Sequence, residues 1–204
     1  MKLENNFEEK FLILLCGLPG TGKTVVANVL KNAIPNYVVI EQNEIRRKQG
    51  MKRMPKSQDP VLREIDKQTA ANLRNGKGVI IDSVNRYSFR RHQLYGIASS
   101  CETRVITLEV ICSEKTAKQR IYNRKSSDGL LSDPNNPLVY DRLKNLWEDI
   151  VIDFKYPGQD HVGYVRFDSE KNRLKKLIIK KRMNRLIQKI KKILEGYSKT
   201  IKKC

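Results

Sequence analysis

The sequence predicts an α/β protein, a parallel sheet of about five strands flanked by helices on both faces. Three observations predict it. Short, fully apolar runs such as Phe11 to Cys16 have the length of strands buried on both sides. Between them lie longer stretches whose apolar residues recur every three or four positions, the period of a helix with one buried face. The first strand passes into the first helix through a glycine-rich turn, Gly17 to Gly22.

The elements follow in order. Phe11 to Cys16 reads as a strand and Thr24 to Ala33 as a helix that ends before Pro35. Tyr37 to Glu41 is a short strand with β-branched residues at its centre. Gln42 to Gln58 is polar and basic, a loop with a helical start. Val61 to Asn75 is a helix stopped at Gly76, and Val79 to Asp82 a buried strand ending on an acid. Ser88 to Ser99 is helical, Arg104 to Ile111 a strand, and Ser113 to Lys125 a helix with Ser113 as its N-cap. Ser126 to Pro137 is rich in Ser, Asp, Asn and Pro and reads as an exposed loop. Pro137 to Asp153 reads as one helix and Val162 to Phe167 as the last strand. No internal repeat is visible, and Asn135-Asn136 and Pro157-Gly158 are turn signals rather than linkers.

The chain has 204 residues, 39% hydrophobic and 31% charged, which suits one or two folded domains and argues against disorder. Its 41 Lys and Arg outnumber 22 Asp and Glu, giving a net charge of +19, and such an excess points to a polyanionic partner. The excess is uneven. From Ser169 to Cys204 there are 14 basic residues and two acids, Glu170 and Glu195. In the same segment Leu174, Leu177, Ile178, Leu186, Ile187, Ile190, Ile193, Leu194 and Tyr197 recur at helical spacing. The division expected is therefore a core domain, residues 1–168, and a basic helical extension, residues 169–204. That extension reads as an amphipathic helix docked on the core, as a nucleic-acid-binding helix, or as a membrane-surface helix lacking the usual Trp or Phe.

The longest apolar run is far too short to span a bilayer, no basic n-region precedes it and no small-residue cleavage site follows it, so neither signal peptide nor membrane span is expected. Cys16, Cys101, Cys112 and Cys204 are scattered, without zinc or disulfide spacing. The expected location is cytoplasmic.

One motif carries the chemistry. Gly17-Leu18-Pro19-Gly20-Thr21-Gly22-Lys23-Thr24 has the two fixed glycines, the Lys and the Ser/Thr of a phosphate-binding P-loop. The glycines let successive N–H groups turn inward toward phosphate oxygens. The helix that follows adds the positive end of its dipole. Lys23 is suited to the β- and γ-phosphates, Thr24 to Mg²⁺, and Val25 completes the segment expected to contact nucleotide. Asp82, an acid at the end of a buried strand, is suited to Mg²⁺ or its water. Arg120 and Arg124, four apart on one helix, stand just before the polar loop, where a closing lid would bring them to a transferring phosphoryl group.

Together with Gly17 to Thr24, the segment Ile81-Asp82-Ser83-Val84-Asn85, Arg90-Arg91 and the Arg120/Arg124 pair resemble the polynucleotide-kinase-like and zeta-toxin-like P-loop kinases, often labelled AAA-type ATPases. The stretch Arg124 to Asp133, Val139-Tyr140-Asp141-Arg142-Leu143 and Trp147-Glu148 is similar to that family's lid and following helix. The resemblance covers roughly residues 10 to 155. It implies transfer of the γ-phosphoryl group of ATP·Mg²⁺ to a hydroxyl.

Such kinases carry Asp-x-x-Arg after the second strand, the Asp as base and the Arg as acceptor holder. Here the stretch is Asn43-Glu44-Ile45-Arg46. Arg46 matches and Asn43 does not, because a carboxamide takes no proton at neutral pH. Transfer is expected to persist with Asp82 or Glu44 assisting, Glu41 being the further alternative.

Two function classes follow. One is a kinase acting on a nucleic-acid 5′-end or a small molecule, with Arg46, Arg47, Lys48, Lys52 and Arg53 either lining the acceptor side or forming a solvated basic loop. The other is an ATP-dependent switch or nucleic-acid-binding module without acceptor phosphorylation. A motor of the AAA+ kind is disfavoured, because the length leaves no room for an added helical lid domain.

Overall fold

The computed structural model describes residues 10–50, 60–123, 136–155, 158, 160–179 and 183–201. Among them, six strands form one sheet: β1 (Phe11–Cys16), β2 (Tyr37–Glu41), β3 (Gly78–Asp82), β4 (Arg104–Ile111), β5 (Val162–Asp168) and β6 (Arg173–Ile178). Their order is β2-β3-β1-β4-β5-β6. The first five are parallel and β6 is antiparallel to β5. The helices are α1 (Lys23–Ala33), α2 (Gln42–Lys48), α3 (Pro60–Arg74), α4 (Ser88–Ser100), α5 (Glu114–Tyr122), α6 (Leu138–Asn145) and α7 (Asn184–Ile201), with a 3-10 turn at Ile150–Lys155. None is long and apolar enough to cross a membrane.

β1 sits at the centre and every one of its residues is buried, as its uninterrupted apolar run requires. Successive side chains point to opposite faces. Phe11, Ile13 and Leu15 enter one core with Val26, Ala27 and Leu30 of α1 and Ile187, Ile190 and Leu194 of α7. Leu12, Leu14 and Cys16 enter the other, with Ile65 and Leu73 of α3 and Leu94 and Tyr95 of α4. The parallel register aligns Leu15 with Asp82 and Glu41 with Asp82, so the C-terminal ends of β1, β2 and β3 lie side by side. Ligands of open parallel sheets bind at such an edge.

Three expectations are corrected. The sheet has six strands rather than about five, because Arg173–Ile178 is a strand and not the start of a helix. Leu174, Leu177 and Ile178 fit the helical period, but the open edge of β5 offers backbone partners. The turn between the strands is closed by Asp168 Oδ1, which accepts from the amides of Glu170 and Lys171 at 3.0 Å each. The amphipathic helix is confined to α7, whose apolar stripe is docked beside α1. Residues 137–153 do not form one helix, since α6 stops at Asn145. There the Glu148 amide leaves the helical ladder to donate to the Arg86 carbonyl at 3.1 Å, and the Glu148 carboxylate accepts from the Ser88 amide at 2.6 Å. The N-cap of α5 is as expected: the Ser113 hydroxyl accepts from the Thr116 amide at 3.3 Å.

Candidate active site

The loop from Gly17 to Gly22 rises from the end of β1 and delivers the chain into α1, whose first turn points its free N–H groups back at the loop. Two glycines are required by the geometry. Gly20 has φ +80°, and a Cβ there would collide with the Ala117 carbonyl of α5. Gly22 caps α1 at φ 95°, a left-handed conformation that side chains resist. Lys23 folds over the loop, its ammonium donating to the carbonyls of Gly17 at 2.8 Å and Leu18 at 2.9 Å. It is thereby tethered at the cradle it is expected to serve.

Thr24, the second residue of α1, donates its hydroxyl to Asp82 Oδ2 at 2.6 Å. Asp82 is buried, and burial raises its carboxyl above the ordinary range, against the Thr24 hydrogen bond and the Lys23 charge. A buried carboxylate beside a hydroxyl is a hard-oxygen donor set. It fits Mg²⁺, which takes one or two protein oxygens and completes its shell with water and phosphate. Among the described residues no cluster of three or more His, Cys, Asp or Glu could hold a metal unaided.

The segment after β3 is stitched beneath the loop. The Gly17 amide donates to the Val84 carbonyl at 3.2 Å, and Asn85 Nδ2 donates to the Leu15 carbonyl at 2.7 Å. On the far side, Arg120 of α5 donates to Ser169 Oγ at 3.1 Å and lies 3.4 Å from the Gly20 carbonyl. Ser169 in turn donates to the Thr21 carbonyl at 2.7 Å. Arg120 therefore touches the loop. Arg124 falls outside the described residues, as do Lys52, Arg53 and most of the 126–137 loop. Val25, the last residue of the expected contact segment, is 55% exposed and open to a ligand.

The end of β2 carries the residues expected on the acceptor side. Arg46 Nη1 donates to Asn43 Oδ1 at 3.2 Å, one turn apart on α2. Glu44 forms an ion pair with Lys48 at 2.8 Å, and that hydrogen bond lowers its carboxyl pKa. A carboxylate held by an ammonium makes a poor base, so Glu44 is less suited than expected. Glu41 is different. Its half-buried carboxyl is raised, first by burial and then by the charge of Asp82, its partner in the register.

Arg90 and Arg91 are each paired with an acid. Arg90 pairs with Asp66 of α3 at 2.7 Å, and Arg91 with Asp153 at 2.6 Å. Sequence reasoning missed Ser169 and Asp153, since nothing local marks a serine or acid whose partner lies 49 or 62 positions away. Of the aromatics near the Asp82 strand end, Tyr95 is buried, whereas Phe89 is exposed. Tyr87 carries the Arg86 guanidinium 4.3 Å above its ring.

A family model described as an AAA domain matches residues 12–137. No curated protein matches the chain. Among solved structures, a sugar kinase from Janibacter is 17% identical, with TM-score 0.55 and coverage of 78% of this chain and 85% of that one. A gluconokinase from Sinorhizobium meliloti is 14% identical, with TM-score 0.52 and coverage of 94% and 95%. Kti12 from Chaetomium thermophilum in complex with ADP-AlF3 is 20% identical, with TM-score 0.53 and coverage of 78% and 90%. At these identities the likeness is one of fold.

Proposed function

Because the chain belongs to the AAA domain family, whose model spans more than half of it, we propose that it is an ATP·Mg²⁺-dependent phosphotransferase acting on a hydroxyl. The observation that carries the reading is the convergence of Lys23, Thr24 and Asp82 at the ends of β1 and β3, above a loop shaped by Gly20 and Gly22. Two structural relatives are described as kinases and a third as bound to ADP-AlF3, which supports it.

Each residue then has a task. Amides of Gly20 to Thr24 and the start of α1 hold the phosphates. Lys23 exchanges its carbonyl partners for phosphate oxygens, so that its ammonium meets full negative charge in place of a carbonyl dipole. Thr24 and Asp82 would hold Mg²⁺, which would supply charge neutralisation at the phosphates. Arg120 offers its guanidinium to the charge spread over the transferring group. The acceptor oxygen bonds to the γ-phosphorus as the bond to the β-phosphate oxygen breaks. The acceptor proton passes to Glu41, ADP leaves, and Arg46 orients the acceptor. Glu41 takes the place of Asn43 because its raised pKa suits a base better than that of Glu44. The basic segment 169–204 is proposed as a source of nucleic-acid affinity, which favours a nucleic-acid end as acceptor.

The test is γ-labelled ATP with Mg²⁺ and a panel of 5′-hydroxyl oligonucleotides, nucleosides and small alcohols. Label is expected on one class and absent with Lys23→Ala. No labelled acceptor, with slow phosphate release only, would favour the switch reading. The Arg46 contact to Asn43 where the family has an acid is the observation on that side.

A further inference from the structure

Arg91 is fully buried, and so is Asp153. Taking two charges out of water costs several kcal/mol per ion unless every donor and acceptor is met. Here they are met. Arg91 Nε and Nη2 donate to the Asp153 carboxylate at 2.6 and 2.9 Å. Nη1 donates to the carbonyls of Asn85 at 3.1 Å and Arg86 at 2.9 Å, and Nη2 also donates to the Asp149 carbonyl at 3.2 Å. Asp153 accepts in addition from Ser88 Oγ at 2.6 Å and Tyr95 OH at 3.0 Å.

A buried ion pair by itself is weak evidence for stability, since apolar residues often fill such space as well. This pair does what apolar residues cannot. Three of its bonds end on main-chain carbonyls of two separate loops, 85–86 and 149. The 83–86 segment leads directly from Asp82, lends Val84 O to the Gly17 amide, and anchors Asn85 to Leu15 O. Asn85 also stands at φ 48°, a conformation that needs external support.

We infer that Arg91 and Asp153 are positioning residues of the phosphate site, a buried clamp that holds residues 83–86 and through them the first glycine of the loop and the end of β3. Neither touches nucleotide. The inference rests on the nucleotide-binding reading above, and the experiment separates the two.

Four chains are compared: wild type, Arg91→Lys, the double variant Arg91→Met/Asp153→Leu, and Arg90→Met. Arg91→Lys keeps the charge beside Asp153 but lacks the fork that reaches both loops. The double variant removes the buried charges together and so avoids an orphaned ion. Arg90→Met breaks the neighbouring pair to Asp66, which bonds no loop carbonyl of the site. Calorimetry with Mg·ATP should show a Kd raised about tenfold for Arg91→Lys and for the double variant, the equivalent of one charge-assisted hydrogen bond. Arg90→Met should leave Kd unchanged.

Amide exchange needs no nucleotide. In the two clamp variants the Gly17 amide should exchange at least about tenfold faster while the amides of β6 and α7 keep their rates. A wholly structural role would move all amides together. Wild-type affinity with unchanged Gly17 exchange in Arg91→Lys would overturn the clamp. No heat from the wild-type chain, with Gly17 exchange still raised in the variants, would overturn the nucleotide reading and leave the clamp as a positioning device of the loop alone.

Discussion

The two halves of the sheet's C-terminal edge are built differently. At the ends of β1 and β3 the chemistry is mostly main chain: amides of a glycine loop, a helix start, and carbonyl bonds that stitch Gly17 to Val84 and Asn85 to Leu15. At the end of β2 it is side chain, on a seven-residue helix whose charged groups pair with one another. Arg46 holds Asn43, and Glu44 holds Lys48. Main-chain geometry permits few sequences, because a Cβ at Gly20 has nowhere to go. A side-chain site can move its carboxylate from one position to another and remain usable. The loop end is therefore read from a motif, whereas the β2 end has to be read from coordinates.

The largest expected effect breaks the phosphate side. Lys23→Ala should lower the transfer rate by about 10³-fold, since it removes a preorganised charge from the developing transition state. Single-turnover kinetics with labelled ATP checks it, with far-UV circular dichroism unchanged.

Next comes the packing under the loop. Ile190 of α7 is fully buried in the core shared with Val26, Ala27 and Leu30 of α1. Ile190→Ala should cost about 2–5 kcal/mol by urea denaturation. ATP affinity of the folded fraction should stay as it was, because the loop's own geometry is not touched. Loss of both together would mean that the cradle depends on α7 and not only on its own backbone.

The third prediction sharpens the acceptor side. Glu41→Gln should lower turnover about 10²-fold without changing ATP affinity, the ordinary cost of a missing base. Asn43→Asp in that background should restore part of it. In the wild type, activity should fall as pH drops through the raised pKa of Glu41, above the usual glutamate range. Stability should respond in the opposite sense. Glu41 and Asp82 both bind their protons more tightly when folded, so their contribution is fully present below the unfolded pKa values and is lost as pH rises through the folded ones. A rate profile with no acid limb near that range removes Glu41 from the role.

The smallest effect concerns the basic segment. Lys191→Gln and Lys192→Gln change the charge of α7 outside its buried stripe, so stability should shift by no more than about 0.5 kcal/mol. If the segment supplies nucleic-acid affinity, the salt dependence of oligonucleotide binding should flatten by roughly one unit of slope per lost contact. Unchanged binding assigns the charges to solubility.

The five strands and the cradle were legible because each is a local pattern: an apolar run of strand length, or a loop that admits no side chain. Residues 173–178 were misread because apolar residues at 174, 177 and 178 suit a helix as well as an edge strand, and the choice fell to the unpaired edge of β5. Residues 146–149 were misread because their helical period is overridden by bonds to Arg86 and Ser88, about 60 positions away.

The sequence alone determined that this chain folds around buried parallel strands and that Gly17 to Thr24 leads from the first of them into a helix. Local sterics and periodicity suffice for that. Tertiary structure alone decided that Glu41 stands beside Asp82 and that Arg91 is buried against Asp153. Each of those facts depends on residues that lie 41 and 62 positions apart in the chain being brought side by side. No spacing within a single segment encodes such a contact.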